Sequence, residues 1–240
     1  MMSVAYFSDQ GLVRSRNEDS LFVDEAQGIF IVADGMGGHL GGEVASDMAV
    51  RIVRDYLLAA GPRNEDIVET ALLEANREVH GLSLQQAELS GMGTTLSVAA
   101  LAKGSLVFAH VGDSRIYLVR EGQISRITRD HTMVEELVEQ GAITPDEARH
   151  HPRKNVLVRA LGTDPELRVD RGTLPLQAGD TLVLMTDGVY GYLEDQELLQ
   201  VLEDKPIEDA ASSIRQQVIA QGASDNLTFI AVQVEAGWLS

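Results

Sequence analysis

The sequence contains no cysteine, so disulfides, catalytic thiolates and zinc sites with cysteine ligands are all excluded. It also lacks an uninterrupted apolar run of the roughly 18 residues that a membrane-spanning helix requires. Its first residues, MMSVAYFSDQ, do not show the basic and apolar regions of a secretory signal peptide. These absences lead us to expect a cytoplasmic protein without a membrane segment.

Basic residues are scarce. The 240 residues include 19 Lys and Arg against 37 Asp and Glu, which gives a formal net charge of −18. Nucleic acids and anionic membrane surfaces attract a cationic face, so the charge argues against both as partners. Most of the acidic excess is typical of a solubilising surface, but acids clustered at strand ends would instead require cations.

The remaining composition is that of a globular protein, with 44% hydrophobic and 23% charged residues. The length allows one large domain or two small ones. Neither an internal repeat nor a linker is apparent, so we expect a single domain spanning residues 1–240. We expect it to be a monomer.

Short runs rich in β-branched and aromatic residues predict strands. They are Ser3–Phe7, Ser20–Val23, Ile29–Ala33, Thr95–Leu101, Leu106–Val111, Arg115–Arg120, Gln123–Ile127, Thr181–Met185 and Leu227–Val234. Residues 100–128 read as four successive strands joined by KG, GD and EG turns, which predicts one antiparallel meander.

Helical periodicity occupies the segments between these groups of strands. The predicted helices are Gly42–Ala60, Asn64–Gln86, Met133–Gln140, Pro145–Arg149, Asp195–Glu203 and Pro206–Gln221. Antiparallel strands interrupted by helix pairs indicate a layered α+β sandwich rather than a doubly wound parallel sheet. Residues 130–162, with short helices and a basic patch, predict a small surface subdomain, although a plain helical connection would give the same pattern.

Four aspartates lie at the ends of predicted strands. They are Asp34, Asp113, Asp187 and Asp225. Each one alone fits the ordinary chemistry of a tight turn. Together they suggest a shared cation site, because a carboxylate at the end of an apolar strand is costly unless its charge is compensated. Oxygen donors without cysteine or paired histidines suit Mg²⁺ or Mn²⁺.

The segment RSRNEDS, residues 14–20, supplies the other groups that a phosphate-processing site needs. Arg14 offers a bidentate cation for phosphate oxygens, while Glu18 and Asp19 can hold metal-bound water. Gly35, which follows Asp34, has no Cβ and lets a backbone carbonyl turn towards a metal. Taken alone, RSRNEDS is also consistent with a solvated charged loop.

In this order, the motifs resemble the bacterial branch of the metal-dependent Ser/Thr protein phosphatases, the PPM or PP2C-type family. The matching blocks are RSRNEDS (14–20), VADGMGGH (32–39), GGEVAS (41–46), MGTTL (92–96), HVGDSR (110–115), TRDHT (128–132), HPRKNVLVRALG (151–162), TDGV (186–189) and SDNLT (224–228). They extend over nearly the whole chain.

The resemblance implies an α-β-β-α sandwich, in which two antiparallel sheets pack face to face between helix pairs, with a flap subdomain at residues 130–162. It also implies a centre of two Mn²⁺ or Mg²⁺ ions bridged by Asp34, with the carbonyl of Gly35 as a further ligand. By the same resemblance Asp187 and Asp225 ligate the metals. Glu18 and Asp19 act through water, and a third, looser ion lies on Asp113, shared with Asp187.

The implied activity is hydrolysis of phosphoserine and phosphothreonine by direct attack of a metal-activated hydroxide, with Arg14 binding the phosphate. The implied partners are phosphorylated proteins and a bacterial Ser/Thr kinase that the enzyme opposes. The chain departs from eukaryotic members at Met36, where they carry a candidate acid histidine. His39 is the nearest histidine and fits either the acid or a structural role in the turn.

Two further histidines are predicted to be structural. His110 lies inside an apolar strand and is expected to be a hydrogen-bonded core residue, and His131 is expected to fix the start of the flap. Gly93, Thr94 and Thr95 are expected to contribute packing and turn chemistry near the site.

Three alternatives stay open. A phosphatase-like scaffold without catalysis would be expected to lose metal aspartates, and a SpoIIE-like phosphatase of an anti-sigma antagonist usually carries regulatory domains. An acidic Ca²⁺-binding protein would need an EF-hand loop pattern, and the sequence has none.

Overall fold

The computed structural model describes residues 2–37, 40–102 and 104–238 of the chain. The strands in this part are β1 (Met2–Asp9), β2 (Asp19–Asp24), β3 (Ile29–Met36), β4 (Gly93–Thr94), β5 (Leu96–Ala102), β6 (Ser105–Val111), β7 (Arg115–Arg120), β8 (Gln123–Arg126), β9 (Asp170–Pro175), β10 (Thr181–Met185) and β11 (Leu227–Val234). The α-helices are α1 (Gly41–Ala59), α2 (Glu65–Gln85), α3 (Met133–Glu139), α4 (Pro145–Arg149), α5 (Asp187–Tyr190), α6 (Asp195–Asp204) and α7 (Ile207–Ala220).

The strands form two antiparallel sheets. Sheet I has the order β1-β11-β10-β7-β8, and sheet II has the order β2-β3-β5-β6-β9, with the short β4 paired to the end of β3. The pairs β2–β3, β5–β6 and β7–β8 are hairpins, whereas β1 pairs with β11 and so joins the two ends of the chain.

Alternation along β3 shows how the layers are built. Ile29 and Ile31 pack in the core between sheet II and the helices, whereas Phe30 and Val32 pack in the core between the two sheets. Both faces of the strand are buried, which explains why its sequence reads as a continuous apolar run. A third core lies between sheet I and the helices on its outer side.

The helices cover the outer faces of the sheets. On α1 an apolar stripe of Ala45, Ala49 and Val53, each fully buried, recurs at the spacing of one helical turn. On α7 the buried Ala210, Ile214 and Val218 follow the same spacing against sheet I. The α-β-β-α sandwich predicted from the resemblance is therefore confirmed.

The predicted strands and helices are all present in the described residues, and most of their ends lie within two residues of the prediction. The exception is β3, which continues past Ala33 to Met36 because its last residues pair with β4. The sequence prediction missed β4, β9 and α5. In β9 exposed and half-buried residues alternate, and its segment DRGTLP has too few apolar residues to give a strand signal.

The predicted four-strand meander is wrong. The pairs β5–β6 and β7–β8 are hairpins, but β6 lies in sheet II and β7 lies in sheet I. The Gly112–Asp113 turn therefore carries the chain from one sheet to the other. A turn between two alternating strands has the same sequence pattern whether the strands pair or cross, so periodicity could not distinguish the two cases.

Residues 130–162 contain α3 and α4, with an isolated bridge between Thr132 and Leu157 inside the segment and one between Leu161 and Thr94 that connects it to the end of the sandwich. Their behaviour as a flap subdomain stays a prediction. Among the helices in the described ranges, none has the length and apolar character needed to cross a membrane.

Candidate metal centre

Several strand ends that carry acids meet at one end of the sandwich. In sheet II, Asp19 at the start of β2 lies directly opposite Asp34 near the end of β3. In sheet I, β10 ends where β11 and β7 begin, since Met185 lies opposite both Phe229 and Arg115. The register of the two sheets thus places the acids before and after these strands close together.

The backbone of Asp34 is fixed by two threonines. Its amide donates to Oγ1 of Thr95 at 2.8 Å, and its carbonyl oxygen accepts from the Thr95 amide and from Oγ1 of Thr94, both at 2.9 Å. These bonds satisfy the backbone amide and carbonyl of Asp34. Its side-chain carboxylate takes no part in them and lies among the other acids. The threonines therefore do contribute structure beside the site, as expected.

Asp187 is the first residue of α5 and is separated from the end of β10 by Thr186 alone. Its carboxyl group lies close enough to that of Asp34 for the charge of Asp187 to raise the pKa of Asp34. The preceding residue, Thr186, donates through Oγ1 to Oδ2 of Asp19 at 2.8 Å. The Oδ1 atoms of Asp19 and Asp187 are buried, and no described residue offers either atom a hydrogen-bond partner.

Burial and mutual repulsion raise the pKa values of these carboxyl groups. Burial raises the pKa of Asp34 well above its ordinary value, and the charges of neighbouring aspartates, Asp19 first, add to the effect. Burial also raises the pKa of Asp187, with further repulsion from Asp225. The pKa of Asp19 rises to about 7, again mainly because the group is buried.

Asp113 joins this cluster from the crossing between the sheets. Its side chain is buried, and burial together with the charge of Asp187 raises its pKa well above the ordinary value. The neighbouring Arg115 acts in the opposite direction but is itself engaged by Asp130 at 2.7 Å and stacked over the ring of Tyr190.

Arg14 lies on the solvent side of the cluster and forms an ion pair with Asp225, Nη2 to Oδ2 at 2.7 Å. About half of the Arg14 side chain is exposed, at 51%, against 29% for Asp225. The hydrogen bond with Asp225 raises the pKa of Arg14, and the charges of Asp34 and Glu18 contribute in the same direction. The guanidinium therefore faces the carboxylates predicted to bind metal.

Asn226 holds the loop that carries Arg14. Its Nδ2 donates to the carbonyl oxygens of Gln10 at 2.9 Å and Arg16 at 2.8 Å, and its Oδ1 accepts from the amide of Glu18 at 2.9 Å. One side chain thus fixes both ends of the loop, which limits how far Arg14 can move from the acids.

Gly35 occupies a position that tolerates no side chain. Its amide donates to the carbonyl oxygen of Glu18 at 3.1 Å. A Cβ atom at Gly35 would lie 2.1 Å from the carbonyl oxygen of Gly42 and 2.5 Å from that of Glu18. The first turn of α1 and the start of β2 therefore approach β3 so closely only because residue 35 is glycine.

Glu18 is half-buried beside the N-terminus of α1, where its carboxylate would meet a Cβ added to Gly42 at 2.8 Å. Burial raises its pKa, while the charge of Arg14 lowers it. Asp19 is thus part of the cluster and Glu18 lies beside it, and their role through water stays a prediction.

The donor set fits a hard divalent cation. All of the clustered donors are oxygens, two buried carboxylate oxygens have no partner, and the charges repel one another, so a cation would lower the free energy of the site. Within the described ranges, however, no three His, Asp or Glu side chains already converge as a finished metal cage. The carboxylates repel one another, and Asp225 is held by its ion pair with Arg14. The acids are therefore neighbours, but their oxygens do not converge on a single position.

The structure thus brings together the predicted acids and places Arg14 at their edge. His39 lies outside the described residues, so the structure gives no position for this candidate acid. His110 is fully buried and hydrogen-bonded, as predicted.

Sequence reasoning did not assign a role to three residues near the cluster. Thr186 and Asn226 each stand next to a predicted metal aspartate, and that adjacency was the available signal. Lys154 is exposed in the predicted flap, and its charge acts against the burial that raises the pKa of Asp187.

The fold and the site together define an α-β-β-α protein with an acidic, oxygen-lined centre at one end of its sheets. A sequence profile of the family described as protein phosphatase 2C matches residues 13–227. The chain belongs to the protein phosphatase 2C family.

Individual relatives agree with this assignment. The serine/threonine phosphatase stp of Listeria monocytogenes serotype 4b is 38% identical over 241 aligned positions, which cover 97% of this chain and 96% of the relative. The crystal structure of the serine/threonine phosphatase Stp1 from Staphylococcus aureus has a TM-score of 0.91 and 34% identity, covering 98% of this chain and 96% of that one.

A third similar structure was determined with metal. The catalytic domain of the serine/threonine protein phosphatase PstP, in complex with two manganese ions, has a TM-score of 0.89 and 32% identity, and the match covers 98% of both chains.

Proposed function

We propose that this chain is a Mn²⁺- or Mg²⁺-dependent protein phosphatase that hydrolyses phosphoserine and phosphothreonine. The observation that carries the proposal is the buried cluster of Asp19, Asp34, Asp113 and Asp187 with two unpartnered carboxylate oxygens. The family profile spans all four aspartates, since it matches residues 13–227, and similar members of the family are named serine/threonine phosphatases.

Each residue at the centre would have a distinct role. Asp34 would bind both ions, and Asp187, Asp225 and the carbonyl of Gly35 would complete their protein ligands. Asp113 and Asp187 would hold a third, looser ion. Asp19 within the cluster and Glu18 beside it would orient coordinated water.

Arg14 would bind the phosphate of the substrate. Its guanidinium is half exposed and already contacts the acids, so an incoming phosphate would replace Asp225 as its partner. That exchange would also free Asp225 to turn towards the metal site. The ion pair thus supports a role for Arg14 at the rim of the centre.

When bound, the ions supply Lewis acidity and lower the pKa of water. The chain contributes the anionic pocket that concentrates them and the cation that orients the phosphate. We propose direct hydrolysis without a phosphoenzyme, since the chain has no cysteine and the clustered aspartates would be occupied as metal ligands. The leaving alkoxide would take its proton from an acid or from water.

The proposal is tested with a phosphothreonine peptide and with p-nitrophenyl phosphate. We expect hydrolysis with Mn²⁺ or Mg²⁺ and none in EDTA. Asp34→Asn and Asp187→Asn should each lower kcat/KM by about 10²-fold or more, since each removes a charge on which the metals depend. Hydrolysis that persists in chelator would refute the metal mechanism.

The same aspartate variants carry a second readout. In metal-free protein Asp34→Asn should raise the Tm, because it removes a buried charge that four other aspartates repel. It should also diminish the rise in Tm that Mn²⁺ causes in the wild type. An exposed aspartate on α1 gives the control, and Asp47→Asn should change neither quantity appreciably.

Arg14→Ala should mainly raise KM for the phosphopeptide and affect kcat less. The reason is that Arg14 is proposed to contact the phosphate already in the enzyme–substrate complex, so the contact contributes to binding before the chemical step. The measurement is a full Michaelis profile for both enzymes at saturating Mn²⁺. Arg16→Ala provides a neighbouring control, since Arg16 pairs only loosely with Glu43 at 3.5 Å. An unchanged KM in Arg14→Ala would remove Arg14 from the site.

A bacterial Ser/Thr kinase as the opposed enzyme, a cytoplasmic location and a monomeric state all stay predictions made from the sequence. So does the action of residues 130–162 as a flap. The exposed cations of this segment, including Lys154, support a flap that faces the acidic centre.

A further inference from the structure

Two buried histidines lie behind the turn that carries Asp113. His110 in β6 and His131 just before α3 are 0% and 1% exposed, and their ring centroids are 4.8 Å apart. Neither ring belongs to the cluster of acids described above. A buried imidazole needs hydrogen-bond partners at both nitrogens, so its contacts show what it holds in place.

His131 bonds to both polar groups of the Gly112 main chain. Its backbone amide donates to the Gly112 carbonyl oxygen at 2.8 Å, and its Nδ1 accepts from the Gly112 amide at 3.1 Å. Because Nδ1 accepts, the ring proton lies on Nε2, which donates to Oδ2 of Asp170 at 3.1 Å. The partners therefore fix one neutral tautomer.

Asp170 is anchored in turn. Its Oδ1 accepts from Arg159 at 2.7 Å, and it begins β9 at the edge of sheet II. This chain of contacts runs from the 130–162 segment, through Asp170 and His131, to Gly112. These contacts are all between charged and polar groups. An apolar side chain in place of His131 could fill the same space but could not form them.

The other side of Gly112 leaves little freedom. Gly112 has φ +103°, and a Cβ atom there would lie 2.6 Å from the Cβ of Thr95. Thr95 is the residue whose Oγ1 accepts from the amide of Asp34. Gly112 is thus held between His131 and the threonine that positions Asp34, and Asp113 is the next residue along the chain.

His110 supports this arrangement from below. Its Nε2 donates to the carbonyl oxygen of Arg129 at 3.0 Å, so its Nδ1 accepts from Oγ of Ser97 at 2.8 Å. Arg129 lies two residues before His131, and this bond therefore holds the segment that presents the second imidazole. Burial lowers the pKa of His131 and keeps its ring neutral, as the acceptor at Nδ1 requires.

We propose that His131 is a positioning residue for the metal centre, acting through Gly112 to fix the carboxylate of Asp113. The inference rests on the proposed function in one respect, namely that Asp113 binds an ion. It assigns to His131 a role in metal binding beyond the structural role at the start of the flap. Its action should be visible in the Mn²⁺ requirement rather than in substrate affinity.

The test compares two amides that each imitate one ring nitrogen. His131→Asn places an acceptor near the Nδ1 position and can keep the side-chain bond from the Gly112 amide. His131→Gln places a donor near Nε2, so its side chain keeps the Asp170 bond but loses the bond from the Gly112 amide. We expect the Mn²⁺ concentration for half-maximal activity to rise by about 10–100-fold in His131→Gln and to change little in His131→Asn. KM for the phosphopeptide at saturating Mn²⁺ should stay close to that of the wild type in both.

A double-mutant cycle shows whether the effect passes through Asp113. In an Asp113→Asn background, His131→Gln should no longer change the Mn²⁺ requirement. Additive effects of the two substitutions, or equal Mn²⁺ requirements in the Asn and Gln variants, would overturn the proposal and leave His131 a purely structural residue.

Amide hydrogen exchange gives a readout that does not depend on phosphatase activity. The Gly112 amide should exchange faster in His131→Gln than in His131→Asn, and equal exchange rates would contradict the assigned bond. If the wild type lacked Mn²⁺-dependent hydrolysis while this difference appeared, the proposed function would fail and the His131–Gly112 contact would stand. Should His131 variants fold poorly, Asp170→Asn tests the tautomer: an amide that donates to Nε2 moves the ring proton to Nδ1 and breaks the Gly112 bond, so the Mn²⁺ requirement should rise, and an unchanged requirement would overturn the proposal.

Discussion

At the scale of single residues, this protein keeps several ionisable groups in environments that oppose their charge. The aspartates at the metal centre are destabilised by burial and by one another, and the histidines behind them are buried as neutral rings. Such arrangements cost folding free energy, and they are typical of functional sites. Their cost should therefore be visible in the dependence of stability on pH.

His110 provides the clearest case. Burial lowers its pKa to about 3, whereas an unfolded histidine titrates near 6.5, so the unfolded state binds more protons between these values. The contribution of His110 to stability is complete above pH 6.5 and is lost as the pH falls towards 3. At pH 5 the loss should be about 2 kcal/mol.

Denaturant unfolding of the wild type and of His110→Gln at pH 7.5 and pH 5 measures this contribution. Gln can still donate to the carbonyl oxygen of Arg129 but does not titrate. The wild type should lose about 2 kcal/mol more than the variant between the two pH values. Comparing the two proteins cancels the titration of the aspartates, and parallel pH dependences would contradict the prediction.

At the scale of secondary structure elements, the site depends on how closely β3, β2 and the N-terminus of α1 approach each other. Gly35 sets that distance, since any side chain there would meet two backbone carbonyl oxygens. Backbone atoms cannot rotate away as a flexible side chain can. A substitution at Gly35 must therefore move one of the elements that carry the acids.

Gly35→Ala should lower the free energy of unfolding by about 1–3 kcal/mol and reduce activity strongly, because it displaces Asp34. Gly81→Ala is the matched control. Nothing lies within 4 Å of a Cβ built at Gly81, which is in the interior of α2, so alanine there should stabilise the helix by about 0.5–1 kcal/mol. Equal effects of the two substitutions would show that the approach at Gly35 is not tight.

At the scale of the whole molecule, the net charge of −18 adds a repulsion that no single pair explains. Many arginines are already paired with acids, as in Arg120 with Asp180 and Arg115 with Asp130. The buried acids at the strand ends, rather than the acidic excess as a whole, make divalent cations favourable partners. The excess makes stability sensitive to ionic strength.

Raising NaCl from 0.01 to 0.15 M shortens the Debye length from about 30 to about 8 Å and should raise the Tm of the metal-free protein. For a chain of this size, each kcal/mol of relieved repulsion corresponds to about 2–4 °C. The measurement is a thermal melt in EDTA over a salt series. A constant or falling Tm would mean that local ion pairs outweigh the repulsion.

Much of the fold and of the candidate site could be predicted before the coordinates were known. Periodicity placed the helices and nearly all strands, because burial of one or both faces is written into local residue order. The position of Asp34, Asp113, Asp187 and Asp225 at strand ends, with no cysteine in the chain, was enough to indicate an oxygen-ligated centre. The motif order was enough to indicate the family.

The sequence alone thus determined local structure, charge and the kinds of donor available. Only the tertiary structure decided that β6 and β7 belong to different sheets, that Arg14 pairs with Asp225, and that His131 holds Gly112. The physical reason is that these contacts join residues far apart along the chain. They follow from how whole layers pack, which a pattern read over neighbouring residues does not contain.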